Sequence, residues 1–245
     1  MDTENKYGTL EIQKASVELL KKFSMWAEQN NVSYSLVDGS MLGAVRHGGF
    51  IPWDDDIDII VKRDTYNELV AQKYNEYGFE IVNDLWLRRI RSLNTDAELS
   101  YPATIDIFVL DKAPDSELAR KIKLFLVYMI QGMMKKRLSL QKGNIVIKVC
   151  TFITWLLGLP FSYDLKFKWY GSISSLWGGE KYCHCCNTIY AYIHQSFDGD
   201  VMDSLVYLPF EDLMQPVMSK YDHWLTCRYG DYMTPPIEKK PKHLN

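Results

Sequence analysis

The densest group of chemically able side chains is a run of aspartates near residue 55. The segment WDDDIDII, residues 53–60, carries four carboxylates, those of Asp54, Asp55, Asp56 and Asp58. Like charges at close range raise one another's pKa, so a fold holds such a group together only at a cost. Residues i and i+2 of a strand share a face, which predicts that Asp56 and Asp58 project together. Asp54 and Asp55 precede that strand and are expected in a solvated loop.

A third aspartate has the same β-branched surroundings. Asp106 lies in the segment IDIF, residues 105–108, and it converges with Asp56 and Asp58 if its strand lies beside theirs. Carboxylates on one face, with no Arg or Lys next to them in the sequence, are a natural seat for Mg²⁺ or Mn²⁺. We therefore predict a site, with two metal ions expected, that serves phosphoryl chemistry. An EF-hand is excluded, because the run lacks the glycine and the terminal glutamate of that loop.

A Gly-Ser pair precedes the acidic run. Gly39 and Ser40 lie in a predicted turn, residues 38–40, between a strand at residues 32–37 and a short helix at residues 41–46. Glycine permits close backbone approach, and the free N–H groups of a helix start bind phosphate. The pair alone is weak, but together with strand-borne aspartates downstream it is typical of the nucleotidyltransferase fold.

The elements that must position these residues alternate between helix and strand. Apolar spacing predicts a helix over residues 10–29, and a β-branched run predicts a strand at residues 57–61. Further strands are predicted at residues 79–82 and 85–91, paired through a hairpin turn at 83–84, and at residues 105–110. This is an α/β (α+β) pattern, a nucleotidyltransferase-like mixed sheet with flanking helices. We predict three parts, namely a catalytic core (1–113), a helical region that is basic and apolar (114–205), and a C-terminal part (206–245) that packs back on the core.

A family resemblance becomes specific at the acidic run. The block DGSMLGAVRHGGFIPWDDDID, residues 38–58, closely resembles the LicD signature DGSxLGAxRxxGFIPWDDDxD. Weaker similarities to that family lie in RIR (89–91) with NT (94–95), in IDIF (105–108), and in YGDYM (229–233) before a Pro-Pro pair and His243. The resemblance covers both ends of the chain, whereas residues 115–205 match no motif.

The resemblance implies an activity. LicD-like enzymes move a phospho-alcohol, such as phosphocholine, glycerol phosphate or ribitol phosphate, from a CDP-linked donor to a glycan hydroxyl, with CMP as the leaving group. Bacterial members decorate teichoic acids, lipopolysaccharides or capsules, so the implied acceptor is a cell-surface glycan or its lipid-linked precursor. By the same resemblance Asp56 and Asp58 bind the metals, while Asp106 completes the site and accepts the proton of the acceptor hydroxyl.

Further residues receive roles through the resemblance. Gly39 and Ser40 are expected to hold the donor pyrophosphate, and Arg46 and Arg91 to neutralise phosphate charge. A surface salt bridge is the alternative for either arginine. Trp53 either stacks on the cytosine or braces the loop.

Two other functions stay open from the sequence. One is nucleotidyl transfer, in which an acceptor attacks the α-phosphate of a nucleoside triphosphate and releases pyrophosphate. The other is a non-catalytic scaffold associated with the membrane. The intact set of Asp56, Asp58 and Asp106 argues against the scaffold, because a dead enzyme has no reason to keep charge repulsion within a sheet.

The charge distribution points to an anionic partner. The net charge of −3 argues against a nucleic-acid binder. Residues 120–168, however, contain ten Lys or Arg and one acid, Asp164, so this segment carries +9 and the remainder −12. The segment is also apolar nearly all round, so it forms either a buried helical hairpin or a surface that contacts an anionic membrane, with Trp155 at the interface.

The cysteines and the N-terminal residues indicate a compartment. Five cysteines, an odd number, do not fit a disulfide framework, and the polar N-terminal residues lack the apolar region of a signal peptide. We expect a cytoplasmic protein, free or peripheral at the inner face of the membrane. Cys183, Cys185 and Cys186 with His184 offer one Cys-x-x-Cys pair and no clear second pair, so structural zinc is the less favoured interpretation.

Overall fold

The structure is a computed structural model that describes residues 8–93, 102–138, 145–188 and 192–235. The chain packs into two compact units. One comprises the residues up to 82, residues 88–109 and the residues from 200 onward, and the other comprises residues 83–87 and 110–199. The three-part division predicted from the sequence remains a prediction.

Helices and strands alternate along the described residues. These residues contain seven α-helices: α1 (Leu10–Gln29), α2 (Asp38–His47), α3 (Arg63–Ala71), α4 (Glu117–Met134), α5 (Ile145–Gly158), α6 (Tyr163–Ser174) and α7 (Tyr221–Tyr229). The same residues contain nine strands: β1 (Ser35–Leu36), β2 (Ile57–Lys62), β3 (Phe79–Asp84), β4 (Leu87–Ser92), β5 (Thr104–Ala113), β6 (Tyr182–Cys185), β7 (Phe197–Asp198), β8 (Leu205–Phe210) and β9 (Leu213–Met218).

A mixed sheet forms the centre of the first unit. Its strand order is β3-β4-β5-β2-β1-β9-β8. The short β1 runs antiparallel to β2 and parallel to β9, while β4 is antiparallel to β5 and β8 is antiparallel to β9. This mixed sheet with its helices confirms the predicted α/β (α+β) fold class. The neighbouring positions of β2 and β5 place the two predicted aspartate-bearing strands side by side.

An aromatic cluster fixes α1 in the first unit. The ring of Phe23, which is fully buried, lies 5.0 Å from that of Tyr34 and 6.4 Å from that of Phe79, both at steep angles. Trp26, one turn later, packs edge-to-face on Tyr74 at 4.9 Å. Such edge-to-face pairs add about 0.5–1.5 kcal/mol each to the free energy of area burial. The apolar spacing that predicted α1 is therefore the spacing of its contacts with the core.

Some predicted boundaries are wrong. The strand predicted at residues 32–37 is reduced to β1, and the turn predicted at residues 38–40 is the first turn of α2. Gly48, with φ of +70°, ends α2 in the left-handed conformation that glycine adopts without penalty. The hairpin turn predicted at residues 83–84 comes later, because both residues belong to β3 and Leu85 takes the left-handed conformation, with φ of +51°.

The second unit has its own apolar core. Six buried residues form that core: Val127, Ile130, Met134, Tyr170, Cys186 and Ile193. β6 pairs antiparallel with the last four residues of β5, and β7 pairs with β6. Lys123 is fully buried in this unit, where its ammonium donates a hydrogen bond to the Lys112 carbonyl at 2.9 Å. A buried lysine needs such a partner, because an unpaired buried charge is costly.

α5 contradicts the buried-hairpin alternative. Of its described residues, only Thr154 and Gly158 are buried, while its large apolar side chains are mostly exposed. Within the part of the chain that the structure describes, no helix has the length and the apolar character needed to span a membrane.

The cysteines of β6 lie inside the second unit. Cys183, Cys185 and Cys186 are buried free thiols. Successive strand residues face opposite sides, so Cys183 and Cys185 share one side of β6 and His184 takes the other. The Cys186 Sγ lies 3.3 Å from the His184 Nε2. Groups of three possible metal ligands are found among the described residues only as carboxylates. That this cysteine cluster holds no structural zinc remains a prediction.

Candidate active site

The start of α2 packs directly against β2. The Ser40 hydroxyl accepts a hydrogen bond of 2.8 Å from the backbone N–H of Asp58, and the Val37 N–H donates to the Asp58 carbonyl at 3.1 Å. A Cβ added to Gly39 would lie 2.6 Å from Oδ2 of Asp54 and 3.6 Å from Oδ2 of Asp58. Glycine at this position is therefore what lets the helix backbone approach the carboxylates.

The aspartates form two overlapping groups. Asp56, Asp58 and Asp106 each offer a carboxylate oxygen, and these oxygens lie within 4.8 Å of one another. Asp54 and Asp55 form a second group with Asp56, with the same separation limit. Asp56 belongs to both groups, so the five carboxylates are continuous. The convergence predicted for Asp56, Asp58 and Asp106 is thus observed, although Asp56 itself comes one residue before β2 begins.

The expected solvated loop is wrong for Asp54 and Asp55. They are only 6% and 5% exposed. The chain before β2 is covered by α1, because the Gln13 amide donates to the Asp54 carbonyl at 2.7 Å and the Thr9 hydroxyl donates to the Pro52 carbonyl at 3.0 Å. Both aspartates were expected in solvent because they precede the strand, whereas a helix distant in the sequence holds the backbone of Pro52 and Asp54.

Burial and mutual repulsion shape the electrostatics of this group. The pKa of Asp58 is raised well above its ordinary value, first by burial and then by the charges of Asp56, Asp106, Asp38 and Asp54. Burial and repulsion therefore disfavour the charged carboxylates when no cation is bound. A bound cation would offset that repulsion. Oxygen ligands at this density are what Mg²⁺ and Mn²⁺ prefer. The residues present therefore fit the predicted divalent metal site.

One arginine of the site was not predicted as such. Arg89 on β4 lies directly opposite Asp106 on β5. Its Nη2 donates to Oδ2 of Asp106 at 3.2 Å, and its Nε lies 2.6 Å from Oδ1, so the two side chains form an ion pair. The sequence shows no cation beside the aspartates, because this one arrives from a neighbouring strand. Its only signal was the basic RIR segment.

Two residues of α7 were also missed. Asp38, which is 7% exposed and begins α2 with φ of +46°, accepts hydrogen bonds from Trp224 Nε1 at 2.9 Å and from Arg228 Nε at 3.0 Å. The Arg228 guanidinium also lies over the Trp224 ring, 5.0 Å from its centroid. The i, i+4 spacing of Trp and Arg in a helical segment was the available signal. Together they fix the first residue of the DGS motif.

The two arginines proposed for phosphate have other partners. Arg91 donates through Nε and Nη2 to Oε1 of Glu80, at 3.0 and 2.5 Å. The Arg46 Nη1 donates to the Tyr232 carbonyl at 2.6 Å, at the end of α2 away from Asp38. Arg46 is eight positions beyond Asp38 in the helix, or about 12 Å along its axis. Their predicted roles toward phosphate remain predictions.

The remaining predicted residues lie close to the group or outside the described chain. Trp53 is half-buried in the turn before the aspartates, and its two predicted roles stay open. The YGDYM segment is described, and the Tyr232 hydroxyl donates to the Asp222 carboxylate at 2.6 Å. Residues 94–95, Pro236 and His243, which carried part of the resemblance, lie outside the described residues.

Comparisons with known proteins identify relatives of this chain. Residues 31–149 match the family model described as LicD/FKTN/FKRP, nucleotidyltransferase domain. This range includes the five aspartates of the site, Asp54, Asp55, Asp56, Asp58 and Asp106. The lipopolysaccharide cholinephosphotransferase LicD of Haemophilus influenzae is 30% identical, over 96% of this chain and 95% of that protein. An uncharacterised protein of Rickettsia typhi is 37% identical over 26% of this chain and 21% of its own length. An uncharacterised protein of Rickettsia prowazekii is 28% identical over 44% of this chain and 37% of its own.

Proposed function

The chain belongs to the LicD family, and from that premise we propose that it transfers a phospho-alcohol from a CDP-linked donor to a hydroxyl of a glycan, releasing CMP. The observation that carries the proposal is the convergence of Asp56, Asp58 and Asp106 within 4.8 Å beside the start of α2. Carboxylates held at this density fit divalent-cation chemistry on a phosphate better than they fit a structural role.

The proposed reaction is a displacement at phosphorus. The oxygen of the acceptor hydroxyl forms a bond to the phosphorus nearer the alcohol. The bond from that phosphorus to the bridging oxygen breaks, and CMP leaves with the bond's electron pair. The hydroxyl proton passes to a carboxylate, for which Asp106 is the proposed acceptor. A divalent cation held by Asp56, Asp58 and Asp106 would neutralise phosphate charge during this step.

The chain's own residues hold this arrangement rigid. Arg89 holds the Asp106 carboxylate by an ion pair, and Ser40 holds the backbone of Asp58 by a hydrogen bond. Gly39 brings the first turn of α2 to the carboxylates, where its backbone N–H groups are proposed to meet the donor pyrophosphate. Positioning of this kind supplies much of the rate in phosphoryl transfer.

The name of one relative suggests the order in which the candidate donors should be tested. The Haemophilus influenzae relative is a lipopolysaccharide cholinephosphotransferase and aligns over nearly the whole chain. We therefore propose phosphocholine as the first donor group to test, followed by glycerol phosphate and ribitol phosphate. A cell-surface glycan or its lipid-linked precursor is the proposed acceptor class.

A product assay tests the proposal. The protein is incubated with CDP-choline, CDP-glycerol or CDP-ribitol, with Mg²⁺ or Mn²⁺ and a glycan acceptor, and CMP release is followed. A parallel series uses nucleoside triphosphates and follows pyrophosphate. The proposal expects CMP from at least one CDP-alcohol, lost in Asp58→Asn and kept in Asp203→Asn, an exposed aspartate of the same unit. Pyrophosphate release instead would establish nucleotidyl transfer.

A further inference from the structure

α5 exposes an unusual amount of apolar surface. Eight of its large apolar side chains are between 45% and 73% exposed: Ile145, Val146, Ile147, Val149, Phe152, Ile153, Leu156 and Leu157. Just beyond the helix, Leu159 and Phe161 are 57% and 39% exposed. Single exposed apolar residues are normal, but a contiguous set of this kind on a soluble surface marks a contact site.

α5 packs inward through its small residues. A Cβ added to Gly132 of α4 would lie 2.1 Å from the Thr154 hydroxyl, and one added to Gly158 would lie 2.4 Å from the Met133 carbonyl. The two buried positions of α5, Thr154 and Gly158, are therefore the seam with α4. Small residues at the seam and large apolar residues outside reverse the pattern of a helix that covers a protein core. The same reversal is found where lipid replaces water around a helix pair.

Basic residues accompany this face. Lys135, Lys136 and Arg137 follow α4, with Lys136 and Arg137 exposed, and Lys168 is an exposed cation on α6. Lys148 lies on α5 itself, among its exposed apolar residues. Residues 120–168 contain Asp164 as their single acid, and Asp84, from outside this segment, lies 3.4 Å from the Lys136 ammonium. Cations beside an apolar face complement an anionic lipid surface.

We propose that α5 docks this protein on an anionic membrane by lying in the plane of the lipid–water interface. Its 14 residues make a helix of about 21 Å, too short to cross a bilayer but sufficient to lie flat in the interface. Its exposed isoleucine, leucine and phenylalanine side chains would enter the acyl region, while Trp155 would lie near the headgroups. The basic residues would contact the anionic headgroups.

A second copy of the chain fits this face less well. A face-to-face pair would bring two copies of a segment with a net charge of +9 into the same assembly, where like charges repel one another. Protein interfaces also carry polar rims with hydrogen bonds, whereas the exposed side of α5 is almost wholly hydrocarbon. A lipid surface needs no such hydrogen bonds.

Vesicle binding tests the proposal. The full chain is sedimented with vesicles of phosphatidylcholine alone, or of phosphatidylcholine with an equal amount of phosphatidylglycerol. We expect binding to the anionic vesicles, weakened by Phe152→Ser combined with Leu156→Ser by about tenfold or more. The matched control, Tyr207→Ser with Met214→Ser, removes side chains that are 64% and 59% exposed on β8 and β9, and should bind like the wild type.

Charge and depth are tested separately. Replacing Lys135, Lys136 and Arg137 by Gln should weaken binding at low salt by up to about a hundredfold, since each charge near the surface contributes roughly fivefold before screening. Lipids brominated at the headgroup end of their acyl chains should quench tryptophan fluorescence in the wild type, and should quench it less in Trp155→Phe.

Three outcomes would overturn the proposal. They are no binding of the wild type to anionic vesicles at low salt, equal binding of the Phe152 and Leu156 double variant, or a dimer that this variant converts to a monomer without any vesicle binding. The proposal does not depend on the transfer reaction, because vesicle binding is measured without donor or acceptor. CMP release on a soluble acceptor should be unchanged in the double variant.

Discussion

At Gly39 the backbone of α2 approaches a carboxylate so closely that any side chain must displace it. Gly39→Ala places a Cβ 2.6 Å from Asp54 Oδ2. We expect this change to lower transfer by about a hundredfold, because shifts near 1 Å in a phosphate site have such effects. The cost in the free energy of unfolding should be about 1–3 kcal/mol, as for overpacking elsewhere. Donor-dependent CMP release and urea unfolding measure the two quantities.

A matched glycine gives the control for that prediction. Gly171 lies within α6 and has no atom within 4 Å of an added Cβ. Gly171→Ala should therefore raise the free energy of unfolding by about 0.5–1 kcal/mol, as a helix-interior alanine does, and leave transfer unchanged. If Gly39→Ala also keeps wild-type transfer, the close approach at Asp54 has no functional role.

Asp58 gives a second prediction, concerning stability without metal. Burial and four neighbouring carboxylates raise the pKa of Asp58 in the folded protein, so the charged form costs stability at neutral pH. Asp58→Asn should then be more stable than the wild type in a chelator at pH 7. Each kcal/mol gained should raise the Tm by about 2–4 °C.

The pH dependence fixes the sign of that effect. Below the ordinary value of 3.8, Asp58 is protonated in both the folded and the unfolded states, so the penalty is absent there. The advantage of Asp58→Asn should shrink as pH falls from 7 towards 4, and saturating Mg²⁺ should stabilise the wild type more than the variant. A variant that is less stable than the wild type in chelator at pH 7 would contradict the repulsion described here.

Individual residues of the site were predictable to different degrees. The convergence of Asp56, Asp58 and Asp106 could be predicted, because strand periodicity and β-branched neighbours constrain where such side chains point. The burial of Asp54 could not be predicted, because it depends on a hydrogen bond from α1, which is distant in the sequence. Arg89 could not be assigned to Asp106 either, since a register between two strands is set by the folded sheet and not by local spacing.

At the scale of elements, α7 holds α2 in place by a buried ion pair. Arg228 and Asp38 have side chains only 1% and 11% exposed. Arg228→Met keeps the apolar stem but leaves a buried carboxylate without its cation, so we expect a loss of about 3–5 kcal/mol in the free energy of unfolding. The exposed pair of Lys62 and Asp203 is the control, and Lys62→Met should cost no more than about 1 kcal/mol.

Urea unfolding of both variants decides this prediction. Equal losses for Arg228→Met and Lys62→Met would show that α7 does not anchor the DGS motif through this pair. A large loss confined to Arg228→Met would explain why a C-terminal helix matters to a site whose carboxylates all lie between residues 38 and 106.

Helices and strands could be predicted where the apolar periodicity extends over many residues. The 20 residues of α1 give several turns of consistent spacing, and its predicted bounds are confirmed. β1 has two residues, so no period could define it, and the left-handed Leu85 shifted a hairpin turn that Asn and Asp favour by composition. The surroundings of α5 could not be predicted, because an apolar helix has the same sequence pattern whether protein or lipid surrounds it.

At the scale of the whole molecule, the proposed transfer site is acidic, whereas the proposed membrane-docking segment is basic. The carboxylates that define the proposed transfer site belong to the first unit, while the basic residues and α5 belong to the second. The net charge of −3 conceals this division, which the +9 of residues 120–168 reveals in the sequence. The class of fold and the family could be predicted from local motifs, whereas the exposure of α5 required the packing of three helices.

The fate of a doubly labelled donor tests the central proposal most directly. CDP-choline would carry one label in the choline methyl groups and another in the phosphorus nearer the choline, and would be incubated with the protein, Mg²⁺ and a glycan acceptor. Phosphocholine transfer predicts that both labels reach the glycan in equal amounts, that CMP carries neither, and that Asp58→Asn transfers none. Choline reaching the glycan without the labelled phosphorus, or CMP that retains this phosphorus, would contradict the proposed reaction.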